Sequence, residues 1–335
     1  AASDVYKRQA ALTVFELSGV EPNPRIETVR KGVTICKEEG IDMVLAIGGG
    51  STIDCSKVIA AGAKYDGDAW DLVLDATKIK AALPIFDVLT LSATGTEMDP
   101  WTVITHETAQ EKIGFGCQLT FPTLSIVDPE LMVSIPPHLT AYQGFDAFFH
   151  AAEGFIANCA TPISDLYALE AIRLIYKYLP VAVADGKNLK ARAKIAWAST
   201  LAGMVEATSS CTSEHSLEHA MSAYYPQLPH GAGLIALSEA YFETFRHDCT
   251  KRYMKMAEMM TQKKSNRPSD FIDALITLQK ECKVHSIKLS EFGIQSEDFP
   301  KFLQNARDTM GGLFTLDPRP ITDEEILHIF KNSYK

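Results

Sequence analysis

The sequence predicts an α/β domain with a parallel sheet followed by an all-α domain, on three observations. An apolar run, Asp42–Ile47, feeds directly into Gly48-Gly49-Gly50-Ser51 and then into a helical pattern, an order typical of doubly wound nucleotide-binding folds. Strand-like segments recur up to Pro136-Pro137 and nearly vanish beyond it. From His138 onward the chain reads as successive amphipathic helices. The expected division is therefore 1–137, nucleotide-binding, and 138–335, helical and metal-binding, with a cleft between them.

Within the first part, residues 1–9 lack apolar periodicity and are set aside as an expected assembly artefact. Ala11–Leu17 suggests a strand, and SGVEPNP supplies turn chemistry after it. Val29, Val33 and Ile35 fall at helical spacing over Ile26–Glu39, with Gly40 at the stop. Asp42–Ile47 reads as a buried parallel strand, and about 53–63 as the helix after the glycines. Leu83–Leu91 is the next strand, SATGTEMDP a loop, WTVIT and KIGFG the arms of a hairpin, and Leu124–Val127 a short strand. In the second part, helices are expected at about 138–158, 162–184, 189–207, 213–224, 231–246, 250–261, 268–284 and 322–334.

Bulk properties narrow the function. A chain of 335 residues can support two cores, and an apolar content of 46% excludes disorder. The net charge of −10 argues against nucleic acid and anionic membrane surfaces as partners. Seven cysteines, without a CxxC pair, read as reduced thiols of a cytoplasmic protein rather than a disulfide framework. No apolar run is long enough to span a bilayer.

Chemistry concentrates in SEHSLEHAMSAYYPQLPHGAG. His215 and His219 lie four apart on one helix face, and His230 follows a Pro-rich turn ahead of Gly231 and Gly233. Upstream, FDAFFHAAE sets Asp146 and His150 four apart as well. A carboxylate with two or three neutral imidazoles suits a divalent cation such as Zn2+ or Fe2+. Gly48, Gly49, Gly50 and Ser51 would bring backbone amides to a pyrophosphate at a helix N-terminus, with Asp54 and Lys57 on its first turns, near enough to touch a bound nucleotide, although GxGxxG is absent. Ser92, Thr94 and Thr96 of SATGTE offer hydroxyls around Gly95, although by itself this segment reads better as a polar surface turn.

The segments NPR, GGGSTIDCSK, SATGTE, IVDPEL, GFDAFFHAAEGF, EHSLEHAMSAYYPQLPHGAG and DPRPITDEEI, in that order and spacing, resemble the iron-containing (group III) alcohol dehydrogenases, in particular the butanol-dehydrogenase-like branch. The resemblance runs from about Leu12 to the C-terminus. It implies a dehydroquinate-synthase-like fold, with Asp146, His150, His215 and His230 as metal ligands and His219 near the nicotinamide, helping proton movement. It further implies that Gly48, Gly49, Gly50, Ser51 and Asp54 hold the pyrophosphate, and that Ser92, Thr94, Lys112 and Leu131 belong to the cofactor site. The implied cofactors are Fe2+ or Zn2+ and NAD(P)(H), with NADP(H) slightly preferred. The implied substrate is a small alcohol or aldehyde, and the implied assembly a homodimer.

Three departures accompany the resemblance. Asp99 stands where many relatives carry Asn, and the interval from His215 to His230 is one residue longer than in several. A first βα unit that helps to choose between NAD and NADP is absent, so a truncated gene fragment is expected. Alternatives are a dehydroquinate-synthase-like or glycerol-phosphate-dehydrogenase-like enzyme, or a catalytically inactive metal-binding remnant. Few basic residues neighbour the ligands, whereas Phe148, Phe149 and Phe155 do, which favours a weakly polar substrate over a phosphorylated one.

Overall fold

The computed structural model describes residues 12–334. Helix α1 (Ile26–Glu38) buries Ile26, Val29, Val33 and Cys36 on one face and ends before Gly40, whose φ of +63° suits glycine at a helix stop. Strand β1 (Val44–Gly48) then enters helix α2 (Gly50–Gly62) through Gly49, without an intervening loop. A short helix α3 (Ala69–Leu74) starts at Asp68, whose side chain accepts from Trp70 N–H. Strand β2 (Ile85–Leu89), the antiparallel hairpin β3 (Trp101–His106) and β4 (Glu111–Gly116), and strand β5 (Leu124–Val127) follow. The sheet runs β1-β2-β5, all parallel.

Two strand expectations change. Residues 12–17 form no strand, and Ala11 lies outside the described residues. Leu12, Val14 and Phe15 are exposed, and without a partner ladder their β propensity does not suffice. Backbone contact with β3 comes instead from Pro24, whose carbonyl accepts from Thr105 N–H at 2.8 Å. The β1 run is also only half buried. Leu45 and Ile47 lie in register with Phe86 and Val88, and these with Leu124 and Ile126, forming an apolar face that the described residues leave largely open. The opposite face, with Ala46, Ile85 and Leu89, is buried.

The helical half follows the expected spacing closely: α4 (Pro137–Ile156), α5 (Pro162–Ala184), α6 (Leu189–Thr208), α7 (Ser213–Tyr224), α8 (His230–Thr244), α9 (Thr250–Thr261), α10 (Ser269–Glu281) and α12 (Asp323–Ser333). Helix α11 (Phe299–Phe314) was not anticipated. Pro300, Gly311 and Gly312 blur its pattern, and the backbone departs from helical geometry at Met310 (φ −129°, ψ 30°). The main core lies here, with Phe145, Phe148, Phe149, Tyr241, Phe242 and Phe271 fully buried among it.

The two halves touch backbone to backbone where the SATGTE loop crosses α6. A Cβ on Gly203 would lie 2.0 Å from the Gly95 carbonyl oxygen, and Gly95 itself has φ +74°. Neither backbone can retreat without moving its element, so Gly203→Ala should lower the melting temperature by about 5 °C or more. Gly311→Ala, with nothing within 4 Å of the added methyl, should shift it little. Comparable thermal melts of the two variants would contradict this reading.

Candidate metal centre

Helical spacing aims Asp146 and His150 of α4 and His215 of α7 at one point, and Pro229 starts α8 so that His230 joins them from its first position. Asp146 Oδ1 lies 3.3 Å from His150 Nε2, 3.8 Å from His215 Nε2 and 3.4 Å from His230 Nε2. Asp146 Oδ1, His150 Nε2 and His215 Nε2 are buried and lack hydrogen-bond partners within the protein. Four donor atoms turned inward, three of them unsatisfied, fit a cation of the Fe2+ or Zn2+ class. Burial opposes ionisation of Asp146, yet the His230 charge beside it holds its carboxyl well below the usual range.

Carboxylates that the sequence reading passed over stand behind the imidazoles. Glu153 Oε1 is 2.5 Å from His215 Nδ1, Glu206 Oε1 is 3.3 Å from His150 Nδ1, and Glu218 Oε2 contacts His230 Nδ1. Cys211 Sγ is 3.3 Å from His150 Nδ1, and burial pushes this thiol up, so it stays neutral. The cysteines of the described residues are all free, but Cys211 was not singled out by spacing. His219 shares the cavity, with its Nδ1 unpartnered. Burial, then the charges of Lys112 and His230, push its pKa well below the usual histidine value, which keeps the ring neutral.

One cavity of about 670 Å³ joins this cluster to the glycine turn. Gly49, Gly50 and Ser51 line it at the N-terminus of α2, where the first amides of a helix lack intrahelical partners. Thr94 and Lys112 line it too. Lys112 Nζ is committed, at 3.1 Å from Glu218 Oε2 and 2.9 Å from Ser222 Oγ. Asp54 reaches the wall, but its oxygens accept from Thr96 Oγ1 and Val103 N–H.

Several anticipated contacts fall elsewhere. Gly48 ends β1, where its carbonyl accepts from Thr90 N–H, and is not in the cavity wall. Ser92 is buried beneath the turn, donating to Met132 Sδ at 3.0 Å. Leu131 is half exposed, outside the wall. Lys57 is fully buried, its ammonium held by Thr96 Oγ1, Asp99 Oδ1 and the carbonyls of Thr96, Asp99 and Trp101. It therefore anchors the loop and does not line the cavity. Phe148, Phe149 and Phe155 belong to the helical core and not to the cavity wall, whose apolar lining includes Leu139, Tyr142, Pro226, Leu228 and Met310.

Residues 140–334 match the Fe-containing alcohol dehydrogenase family, C-terminal, and residues 2–129 match the iron-containing alcohol dehydrogenase family. The chain belongs to the iron-containing alcohol dehydrogenases. It is 38% identical to NADH-dependent butanol dehydrogenase A of Clostridium acetobutylicum, over 98% of this chain and 88% of that protein. The fold superposes on an archaeal halo-thermophilic Red Sea brine pool alcohol dehydrogenase with a TM-score of 0.93 at 32% identity, covering 99% of this chain and 87% of that one. NADH-dependent butanol dehydrogenase A of Thermotoga maritima gives 0.90 at 31% identity, covering 99% and 86%. As in the expected fold of this family, a parallel α/β part precedes a helical part. Among the described residues of this alcohol dehydrogenase, no helix is long and apolar enough to cross a membrane.

Asp99 stands where the resemblance leads one to expect Asn. Its Oδ1 accepts from Lys57 Nζ at 3.3 Å and from Trp101 N–H at 2.8 Å, and burial pushes its pKa up to about 7 despite Lys57. A raised carboxyl pKa means that folding gains nothing from ionisation: stability falls as pH rises from about 4 towards 7. Asn keeps the acceptor and removes that dependence. Asp99→Asn should therefore gain stability relative to the parent as pH rises through about 7, with the gap closing below about pH 4. Denaturant melts across that range would show it; a variant less stable at pH 8 would refute it.

Proposed function

We propose that this alcohol dehydrogenase interconverts small primary alcohols and their aldehydes, with butanol and butyraldehyde as representative substrates. The observation that carries it is the convergence of Asp146 Oδ1 with three imidazole Nε2 atoms, in the same cavity as a glycine-rich helix N-terminus. Residues 138–335 would supply the cation site, and residues 1–137 the nucleotide site. Asp146, His150, His215 and His230 would hold the cation. Iron is favoured over zinc on the family description, since one oxygen and three nitrogens suit both. The Gly49, Gly50 and Ser51 turn would cradle the pyrophosphate. NAD(H) is favoured over the NADP(H) anticipated from the sequence, because the butanol dehydrogenases of C. acetobutylicum and T. maritima are named NADH-dependent.

When bound, the cation supplies Lewis acidity to the substrate oxygen and the nicotinamide carries the hydride. His219, which lines the cavity and is held neutral, would relay the alcohol's proton, or return one during aldehyde reduction. Leu139, Tyr142, Leu228 and Met310 exclude water and accept a short alkyl chain. Among the described wall residues Lys112 is the sole lysine or arginine, and Glu218 already holds it, which disfavours a phosphorylated substrate. Free thiols suit a reducing, cytoplasmic setting.

Elemental analysis together with NADH-dependent butyraldehyde reduction tests the assignment. His230→Ala should fold, hold sub-stoichiometric metal and lose more than about 100-fold in kcat/KM. Full metal and full turnover in that variant would remove His230 from the ligand set. A protein that binds metal but shows no nicotinamide binding by fluorescence would instead be the inactive remnant.

A further inference from the structure

Three buried glutamates surround the cluster, and each contacts a histidine on a different helix. Glu153 of α4 meets His215 of α7, Glu206 of α6 meets His150 of α4, and Glu218 of α7 meets His230 of α8. Every contact is to Nδ1, while every Nε2 faces Asp146 Oδ1. Glu153 is itself fixed, its Oε2 accepting from Thr212 N–H and Thr212 Oγ1, both at 2.8 Å. Glu218 is fixed by Lys112 Nζ. Glu206 is held less firmly: its Oε2 accepts from Cys211 N–H at 3.3 Å, and its Oε1 reaches His150 at ion-pair distance without good hydrogen-bond geometry.

We propose that Glu153 and Glu218 are positioning residues, each locking one imidazole of the metal centre as its Nδ1–H tautomer so that Nε2 keeps its lone pair for the cation, with Glu206 a weaker third at His150, whose Nδ1 hydrogen bond is to Cys211 Sγ. This rests on the metal assignment above. An ionised carboxylate only accepts, so a ring facing it through Nδ1 carries the proton there. The opposite nitrogen is then the acceptor and the competent ligand. Because each glutamate reaches across to another helix, the set also fixes α4, α6, α7 and α8 about the centre before any cation arrives. The unequal anchoring predicts an order, with Glu153 and Glu218 mattering more than Glu206.

The test is Zn2+ affinity of the metal-stripped protein, measured by chelator competition, with circular dichroism to confirm the fold. Glu153→Gln and Glu218→Gln should bind Zn2+ about 10–100-fold more weakly, and Glu206→Gln less than about 10-fold. Folded Glu153→Gln and Glu218→Gln variants within about twofold of the parent would overturn the proposal while leaving the ligand set intact. A parent protein without stoichiometric Zn2+ would overturn both. Should the variants fail to fold, nitrogen NMR of the histidine rings in the Zn2+-loaded parent decides: protons on Nδ1 of His150, His215 and His230 support the proposal, and protons on Nε2 refute it.

Discussion

The meeting of one carboxylate oxygen with three imidazole nitrogens is the constraint on which the rest of the helical half depends. Without a cation, buried Asp146 Oδ1, His150 Nε2 and His215 Nε2 have no partner, at a cost of about 1–3 kcal/mol for each unsatisfied group. Something else must hold three helices in an arrangement that their polar faces disfavour. The aromatic core behind them does so: Phe145, Phe148 and Phe149 of α4 pack with Phe242 of α8 and Phe271 of α10, at ring separations of 5.2–6.4 Å. The phenylalanines beside the ligands in sequence thus serve the site from behind, as packing that aims His150 and His230. They do not form its wall.

The strand half is held against this cluster by the β3-β4 hairpin. Trp101 Nε1 donates to the Glu206 carbonyl, Lys112 reaches Glu218 and Ser222, and Asn305 of α11 donates to the Gln110 carbonyl at the hairpin tip. At its base, the buried Lys57 ammonium gathers acceptors from the SATGTEMDP loop, whose Gly95 rests on Gly203. Lysine at that position is a tether: its charge draws carbonyls together where apolar packing could not. The distance between the glycine turn and the metal cluster is therefore fixed by backbone contact, and hydride transfer rewards such rigid spacing.

Much of this was legible because it is local. The i,i+4 pairs Asp146/His150 and His215/His219 and the helical periodicity around them depend only on pitch, and the helix boundaries followed within a few residues. The glycine turn was legible because a strand running into a helix leaves no other way to connect. The glutamates were not. Glu153 reads as one more helical carboxylate, and its importance comes from His215, sixty-two positions away. Lys57 was misjudged for the same reason, since its position on the first turns of α2 says nothing of the loop that folds over it. The exposure of Leu45 and Ile47 depends on what lies across the sheet, which an apolar run cannot report. Among the metal residues, His230 needed the longest inference, and it was Pro229 and the following glycines that made its turn recognisable.

Charge along the cleft explains how a single cavity could serve two unlike molecules. At one end, the amides of α2 present the positive pole of a helix without a nearby free carboxylate, because Asp54 is occupied by Thr96 and Val103. At the other end stand Asp146, Glu206 and Glu218. Burial opposes ionisation of Glu206 and Glu218, yet the charges of His150 and of His230 with Lys112 respectively hold them below the usual carboxylate range. With neutral imidazoles, a divalent cation and Lys112 would offset these three charges. An anionic group entering there would meet a region already supplied with carboxylates, whereas an uncharged alcohol or aldehyde would not. A pyrophosphate would thereby be directed to the glycine end and a neutral substrate to the histidine end.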